Sequence, residues 1–198
     1  MVGPLPGFAQ LVGAAADATV FFVGSIFFTT AAGLQCLETF NADRAPGGTV
    51  VSRFRVVAFE PRRIDWWSSV VQFVGTLFFN ATTFHALTTA LDNPAYDRVV
   101  WAPDALGSVC FLVSGYLAYV EVCGAYACRG RSLAWRIAAV NFVGCIAFGI
   151  SAVAAYVVPS TGSVLDLAVA NGFTALGGLC FLVGAVLLLP EAAGTESR

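Results

Sequence analysis

Charged residues are scarce in this chain of 198 residues, at 11% of the sequence, and histidine occurs only once. Soluble domains contain about 25% charged residues, which they need to cover the large surface that stays in contact with water. Hydrophobic residues reach 58%, and the mean hydropathy is +0.80. These values exclude a soluble enzyme and indicate an integral membrane protein.

Several motifs that carry chemistry are also missing. All basic residues are arginines, and outside one loop they form no basic stripe with interleaved aromatics, so the sequence gives no support for nucleic-acid binding. A catalytic zinc site needs three protein ligands, and the sequence has neither a second histidine nor a C-x2-C spacing. The six cysteines lie mostly inside hydrophobic runs, so we interpret them as small packing residues. We therefore predict no metal and no cofactor, and the sequence favours a non-enzymatic protein.

Five segments are long and apolar enough for transmembrane helices, which need about 20 residues to cross a hydrocarbon core of about 30 Å. They cover about residues 18–37, 68–91, 104–126, 135–158 and 166–189. We predict an all-α polytopic transmembrane bundle of five spans, forming a single domain over residues 1–198. The loop 39–65 is predicted to be cytoplasmic, as an interfacial amphipathic helix, a short strand or a solvated loop.

The arginines are placed unevenly along the chain. They concentrate in the first and third connections and at the start of the fourth span: Arg44, Arg53, Arg55, Arg62, Arg63, Arg129, Arg131 and Arg136. Only Arg98 falls on the opposite side. Because basic loops stay in the cytoplasm, we predict a bacterial inner-membrane protein with its N-terminus outside and its C-terminus in the cytoplasm.

An internal repeat is the most specific signal. The segment Ala105-Leu106-Gly107-Ser108-Val109-Cys110-Phe111-Leu112-Val113 matches residues 175–183 at seven of nine positions, at an offset of 70. At an offset of 69, Phe73-Val74-Gly75 corresponds to Phe142-Val143-Gly144 and Trp66 to Trp135. The pair of spans two and three is therefore predicted to repeat as spans four and five. Span one then lacks a repeat partner, and we hypothesise that a second protomer fills that place in a homo-oligomer.

Every span contains a glycine followed four residues later by a phenylalanine on the same helix face. The pairs are Gly24 and Phe28, Gly75 and Phe79, Gly107 and Phe111, Gly144 and Phe148, and Gly177 and Phe181. Helix association in a bilayer depends on close packing, so we interpret these pairs as packing positions. The alternative is a phenylalanine-lined cavity for a lipid or quinone-like ligand.

Polar residues within the spans are candidates for a proton or solute site. His85 lies in the second span, with Asn80 and Asp92 near it in the sequence. Ionisable groups inside a bilayer are costly and often functional. The alternative is that His85 is a neutral packing group and that Asn80 forms a hydrogen bond between helices.

A second candidate cluster is predicted at the inner face. Glu38, Glu121 and Glu191 each follow the glycine of their span by 14 residues. The nearest cations are Arg62, Arg63 and Arg129 of the inner loops. These groups are predicted either to form interfacial ion pairs or to line a site for a cation or a lipid headgroup.

The segments Phe22-Val23-Gly24-Ser25-Ile26-Phe27-Phe28 and Phe73-Val74-Gly75-Thr76-Leu77-Phe78-Phe79 resemble the YrhK-like family of small bacterial membrane proteins. The resemblance covers the spans and not the loops, and five spans depart from the two-span pattern of that family. It implies an integral membrane protein of unassigned activity, with no catalytic residues to carry over.

The leading hypothesis from the sequence is a non-enzymatic, self-associating bundle whose surroundings are the lipid bilayer. A conduit or carrier for a small solute or proton is the first alternative. A lipid- or quinone-binding membrane protein is the second.

Overall fold

A computed structural model describes residues 11–42, 54–89, 94–124 and 132–195, with the side chains of the last helix described as far as residue 189. The predicted all-α class is confirmed in these ranges, apart from one short hairpin. The helices are α1 (Ala14–Asn41), α2 (Ile64–Ala86), α3 (Ala102–Cys123), α4 (Leu133–Ala154) and α5 (Leu167–Thr195). The hairpin strands are β1 (Val157–Val158) and β2 (Ser163–Val164).

Side chains mark the start of several helices. The Ser132 hydroxyl accepts a hydrogen bond from the backbone N–H of Trp135 at 3.1 Å, which caps α4. The Asp166 carboxylate accepts from the N–H of Val169 at 3.0 Å and caps α5 in the same way. Pro103 lies in the first turn of α3, where proline is tolerated.

The prediction that the fourth span extends to about residue 158 is wrong. Helix α4 ends at Ala154, and β1 pairs antiparallel with β2 instead of continuing the helix. The β-branched valines of β1 favour a strand. The turn ends at Gly162, whose φ of +64° suits glycine because it has no β-carbon.

Two further boundaries differ from the sequence prediction. Helix α2 ends at Ala86 rather than near residue 91, and the His85 carbonyl accepts from the N–H groups of Thr88 and Thr89 in a closing turn. A π-helical turn over Asp97–Trp101 leads directly into α3, so this helical segment begins before residue 104. The described part of the predicted loop, residues 54–63, contains no helix or strand.

Consecutive helices pack side by side and run antiparallel. Between α1 and α2, the Cys36 thiol donates to the Ser69 carbonyl near one end, and Ser25 and Thr83 share a hydrogen bond near the other. The pairs α2 and α3, α3 and α4, and α4 and α5 pack in the same way. Helices that are consecutive in the sequence are therefore neighbours in the bundle.

Four helical segments are long and apolar enough to cross a membrane: Ala14–Asn41, Asp97–Cys123, Leu133–Ala154 and Leu167–Leu189. They indicate a membrane protein. Helix α2 is not in this set, because polar residues such as Gln72 and Asn80 lower its mean hydropathy.

The polar and apolar side chains are distributed opposite to those of a soluble protein. Large apolar side chains point outward, including Phe27 at 72% exposure and Leu189 at 69%. The buried polar side chains are small hydroxyls: Ser25, Ser68, Ser69, Thr76, Ser108, Ser114 and Ser151. This pattern suits a bilayer, where lipid covers the apolar surface and hydroxyls bond between helices.

Candidate functional site

The interior of the bundle contains a cluster of five phenylalanines, one from each helix: Phe28, Phe79, Phe111, Phe148 and Phe181. Phe111 is fully buried, and its ring centroid lies 5.1 to 6.1 Å from those of the other four. We call this group the phenylalanine cluster. Its rings contact one another and so occupy the space that a ligand of the predicted phenylalanine-lined cavity would need.

Glycines allow α2 and α3 to approach each other beside this cluster. A β-carbon on Gly75 would lie 2.8 Å from the Phe111 ring, and one on Gly107 would lie 3.1 Å from the Phe79 ring. The β-carbon on Gly107 would also lie 3.1 Å from the Gly75 carbonyl oxygen. Each glycine therefore accommodates the phenylalanine of the opposite helix.

Helices α4 and α5 have the same crossed arrangement. A β-carbon on Gly144 would lie 3.1 Å from the Phe181 ring, and one on Gly177 would lie 3.0 Å from the Phe148 ring. Gly24 of α1 departs from the pattern, since nothing in the described part of the chain lies within 4 Å of the place its β-carbon would take. The packing role predicted for Gly24 is therefore not fulfilled there.

Hydroxyl hydrogen bonds also occur at corresponding places in the two helix pairs. Thr82 donates to the carbonyl oxygen of Val100 at 3.0 Å, and Ser151 donates to that of Ala170 at 2.8 Å. Thr82 and Ser151 are 69 residues apart, and Val100 and Ala170 are 70 apart. In each bond the donor lies in the first helix of the pair, α2 or α4. The acceptor lies where the second helix, α3 or α5, begins.

A third pair of corresponding positions differs in its chemistry. Ser114 lies 3.2 Å from the Gln72 side-chain oxygen and donates to the Ser68 carbonyl at 2.8 Å. The corresponding residues are Asn141 and Gly184, and Gly184 has no hydroxyl to offer. The buried Asn141 Oδ1 packs against Gly184 and has no hydrogen-bond partner within the described ranges.

The predicted proton or solute site is only partly brought together. The Asn80 amide donates to the Thr29 hydroxyl at 2.8 Å, whereas its buried Oδ1 has no partner among the described residues. His85 lies in the last turn of α2, where its ring contacts Phe84 at 5.7 Å between centroids. Asp92 lies outside the described residues.

At the opposite end of α2, Arg63 forms a different cluster from the predicted one. It donates to both carboxylate oxygens of Asp65 at 3.0 and 2.5 Å, pairs with Glu60, and donates to the Thr39 carbonyl at 3.1 Å. Neither Glu60 nor Asp65 belongs to the predicted inner-face cluster. The short spacings of Glu60 and Asp65 from Arg63 were the signal for this cluster.

The contacts of Arg63 described above involve none of the other members of the predicted inner-face cluster. Glu38, Arg62 and Glu121 have exposed side chains. Arg129 and the Glu191 side chain lie outside the described parts of the chain.

The cysteines in the described part of the chain divide into two groups. Cys36, Cys110, Cys145 and Cys180 are free thiols, which agrees with packing residues. Cys123 is disulfide-bonded, which the sequence interpretation did not foresee. Disulfides persist mainly in oxidising compartments, so this bond weighs against the predicted cytoplasmic position of the connection between α3 and α4.

Aromatic residues lie at both ends of the bundle. Trp101 stacks edge-on against Tyr156 at 4.8 Å and donates to the Ala152 carbonyl at 2.8 Å. At the other end, Trp66 and Trp67 donate to the carbonyls of Ala58 and Pro61. Such rings with one polar atom are typical of membrane interfaces.

Among the described residues, no group of three or more His, Cys, Asp or Glu side chains is placed to hold a metal ion. Comparison of the chain with protein-family models, with curated proteins and with solved structures finds no match. The resemblance to the YrhK-like family therefore remains a prediction.

Proposed function

We propose that this chain is an integral protein of the bacterial inner membrane, that all five helices cross the bilayer, and that it acts as a non-enzymatic bundle that associates with itself. The unfilled helix surface at Gly24 carries the proposal of self-association. The contacts of α2 and the matching helix pairs support the architecture on which it depends.

The contacts of α2 support a fifth span. Its 23 residues are about 35 Å long at 1.5 Å per residue, which exceeds the hydrocarbon core of about 30 Å. Helix α2 packs against α1 from the Cys36–Ser69 contact to the Ser25–Thr83 contact. A helix that packs against a membrane-spanning neighbour between these two contacts lies at the same depth in the bilayer.

The two matching helix pairs support an internal duplication. The glycine and phenylalanine contacts are crossed in the same way in α2 with α3 and in α4 with α5. The bonds from Thr82 to Val100 and from Ser151 to Ala170 add an equivalent connection. Related sequence positions therefore make related contacts, as expected for two copies of one helical hairpin.

Self-association follows from the position of α1 in this scheme. Gly107 and Gly177, which correspond to Gly24, each lie against a phenylalanine of the preceding helix. In the described chain only the helical residues Leu11 and Val12 precede α1, and the space over Gly24 is open. Small residues let helices approach closely in lipid, so α1 of a second copy is the proposed occupant.

The test is the oligomeric state of the protein extracted from native membranes into lipid nanodiscs. We expect a dimer for the wild type, a monomer for Gly24→Leu, and an unchanged dimer for Gly172→Leu, the matched control on α5 that also has open space around it. A monomeric wild type, or an unchanged Gly24→Leu dimer, would contradict the proposal.

The number of spans and the orientation have a separate test. Five spans place the chain ends on opposite sides of the membrane, and the arginine distribution places the C-terminus in the cytoplasm. Protease-accessible tags at each end of the chain should therefore react from outside only at the N-terminus. Reaction at both ends or at neither would remove one span, and reaction only at the C-terminus would reverse the orientation in favour of the Cys123 disulfide.

A conduit for protons or a small solute is a second candidate, favoured by the buried Oδ1 of Asn80, which lies beside Thr29 and has no hydrogen-bond partner among the described residues. Proteoliposomes containing a pH-sensitive dye test it. Proton flux that falls in Asn80→Leu and in His85→Ala would support the conduit. Wild-type flux equal to that of protein-free liposomes would remove it.

A further inference from the structure

An open groove of about 740 Å³ lies at the hairpin end of the bundle, between α3, α4 and the start of α5. This volume is within the range of about 300–1,000 Å³ that ligand sites occupy. The lining is aliphatic except at one end, and it includes Leu112, Ile146, Gly149, Ile150, Val153 and Asp166. The groove opens onto the outward surface of helices that are apolar enough to cross a membrane.

The interface between α1 and α2 has larger side chains at the positions that correspond to two groove residues. There, Phe22 packs on Phe84 at 5.8 Å between ring centroids, and Asn80 bonds to Thr29 at 2.8 Å. The offset of 69 places Gly149 at the position of Asn80 and Val153 at that of Phe84. Val153 is smaller than Phe84 and so leaves space between α3 and α4. At Gly149 the Leu112 side chain takes part of the available space, since a β-carbon there would lie 3.2 Å from Leu112 Cδ1.

The end of the groove has the chemistry of a membrane interface. Asp166 is exposed, and its Oδ1 accepts the N–H of Val169. The interfacial aromatic pair Trp101 and Tyr156 belongs to the same end of the bundle, since Trp101 bonds to Ala152 beside Val153. A lipid whose acyl chain lies along the aliphatic wall would therefore have its headgroup at the level of a carboxylate.

We propose that this groove binds one phospholipid with an amine-bearing, zwitterionic headgroup of the phosphatidylethanolamine type. The acyl chain contacts Leu112, Ile150 and Val153, and the ammonium group lies beside the Asp166 carboxylate. A negative charge at this end selects against a purely anionic headgroup. This site goes beyond the proposed self-association and involves a different face from Gly24.

Native mass spectrometry of the protein released from nanodiscs of equal phosphatidylethanolamine and phosphatidylglycerol content tests the groove. Val153→Phe places the aromatic residue found at the corresponding Phe84, and Leu165→Trp is a second blocking variant. Both side chains are mostly exposed, at 65% and 59%, so we expect the variants to retain the fold. Val143→Phe is the matched control, since Val143 is a 49% exposed residue of α4 outside the groove.

We expect both blocking variants to lower the fraction of protein with one retained lipid by about tenfold, the change produced when roughly two buried methylene groups lose their contacts. Val143→Phe should retain lipid like the wild type. Wild-type retention in both blocking variants, or equal loss in Val143→Phe, would overturn the proposal. Monomer and dimer masses separate in the same spectrum, so lipid retention is measured independently of self-association.

Asp166→Asn tests the headgroup. Asparagine still caps α5, but it lacks the negative charge. We expect the wild type to retain phosphatidylethanolamine in preference to phosphatidylglycerol and the variant to retain both equally. An unchanged preference in Asp166→Asn would overturn the assignment of the ammonium group to this carboxylate.

Discussion

Asn141 packs against Gly184 across the interface of α4 and α5, and its buried Oδ1 has no hydrogen-bond partner within the described ranges. At the corresponding place between α2 and α3, the side-chain oxygen of Gln72 lies within hydrogen-bond distance of the Ser114 hydroxyl. The pair of α4 and α5 thus has the amide at this place and lacks the hydroxyl.

This relationship predicts a measurable coupling between the two positions. Gly184→Ala should destabilise the protein by about 1–3 kcal/mol, because the new β-carbon displaces the Asn141 amide. Adding Asn141→Ala should recover most of that loss. The measurement is a double-mutant cycle on the unfolding free energy in bicelles, and additive effects would contradict the contact.

The glycine notch between α2 and α3 predicts a position-dependent effect of one added methyl group. Gly75→Ala should lower the unfolding free energy by about 1–3 kcal/mol, because its β-carbon would lie 2.8 Å from the Phe111 ring and 2.9 Å from Cys110 Cβ. Gly172→Ala is the control. Its new methyl group meets open space, and the substitution replaces a helix-interior glycine by a better helix former, so the unfolding free energy should not fall. Equal stability changes in the two variants would contradict the close contact of Gly75 with Phe111.

The phenylalanine cluster predicts that Phe111→Ala is among the most damaging substitutions. Removing a fully buried ring that contacts four others leaves a cavity and should cost about 3–5 kcal/mol of unfolding free energy. Phe27→Ala, at a side chain that is 72% exposed, should change that free energy by less than about 0.5 kcal/mol. Equilibrium unfolding in mixed micelles compares the two, and similar losses would argue against the cluster as the core.

Tyr96, just ahead of the π-helical turn, predicts a loss of stability at alkaline pH. Burial raises the pKa of its phenol, and the carboxylates of Asp104 and Asp97 raise it further. Because the folded pKa exceeds the unfolded value of about 10, the stabilisation is fully present below that value and is lost as pH rises through the folded pKa. Thermal midpoints across this pH window should fall more steeply in wild type than in Tyr96→Phe, and parallel curves would count against the effect.

The amino-acid pattern predicted the helical architecture well. A bilayer offers the backbone no hydrogen-bond partners, so a long apolar run must satisfy its own peptide groups as a helix. Run length therefore located all five helices to within a few residues at most ends. The spacing of glycine and phenylalanine also identified Gly75, Gly107 and the phenylalanines, because residues four apart share a helix face.

The partners of individual polar groups were less predictable. The sequence interpretation associated Arg63 with distant glutamates, whereas it bonds to the nearby Asp65 and Glu60. Gln72 and Asn141 are amides at corresponding positions, 69 residues apart, yet only Gln72 has a hydroxyl from the next helix within reach. Whether a hydrogen bond forms depends on differences of a few tenths of an ångström in the distance between donor and acceptor. That distance varies with the size of the side chain at the opposing position.

Hydrophobic length and glycine–phenylalanine spacing, both readable along the chain, were enough to define the helices and the faces they use. The convergence of five rings on Phe111, the open space at Gly24 and the groove beside Gly149 emerged only once the helices were placed together. The physical reason is that spacing within a helix specifies which residues share a face, whereas a contact also depends on the rotation and separation of two helices.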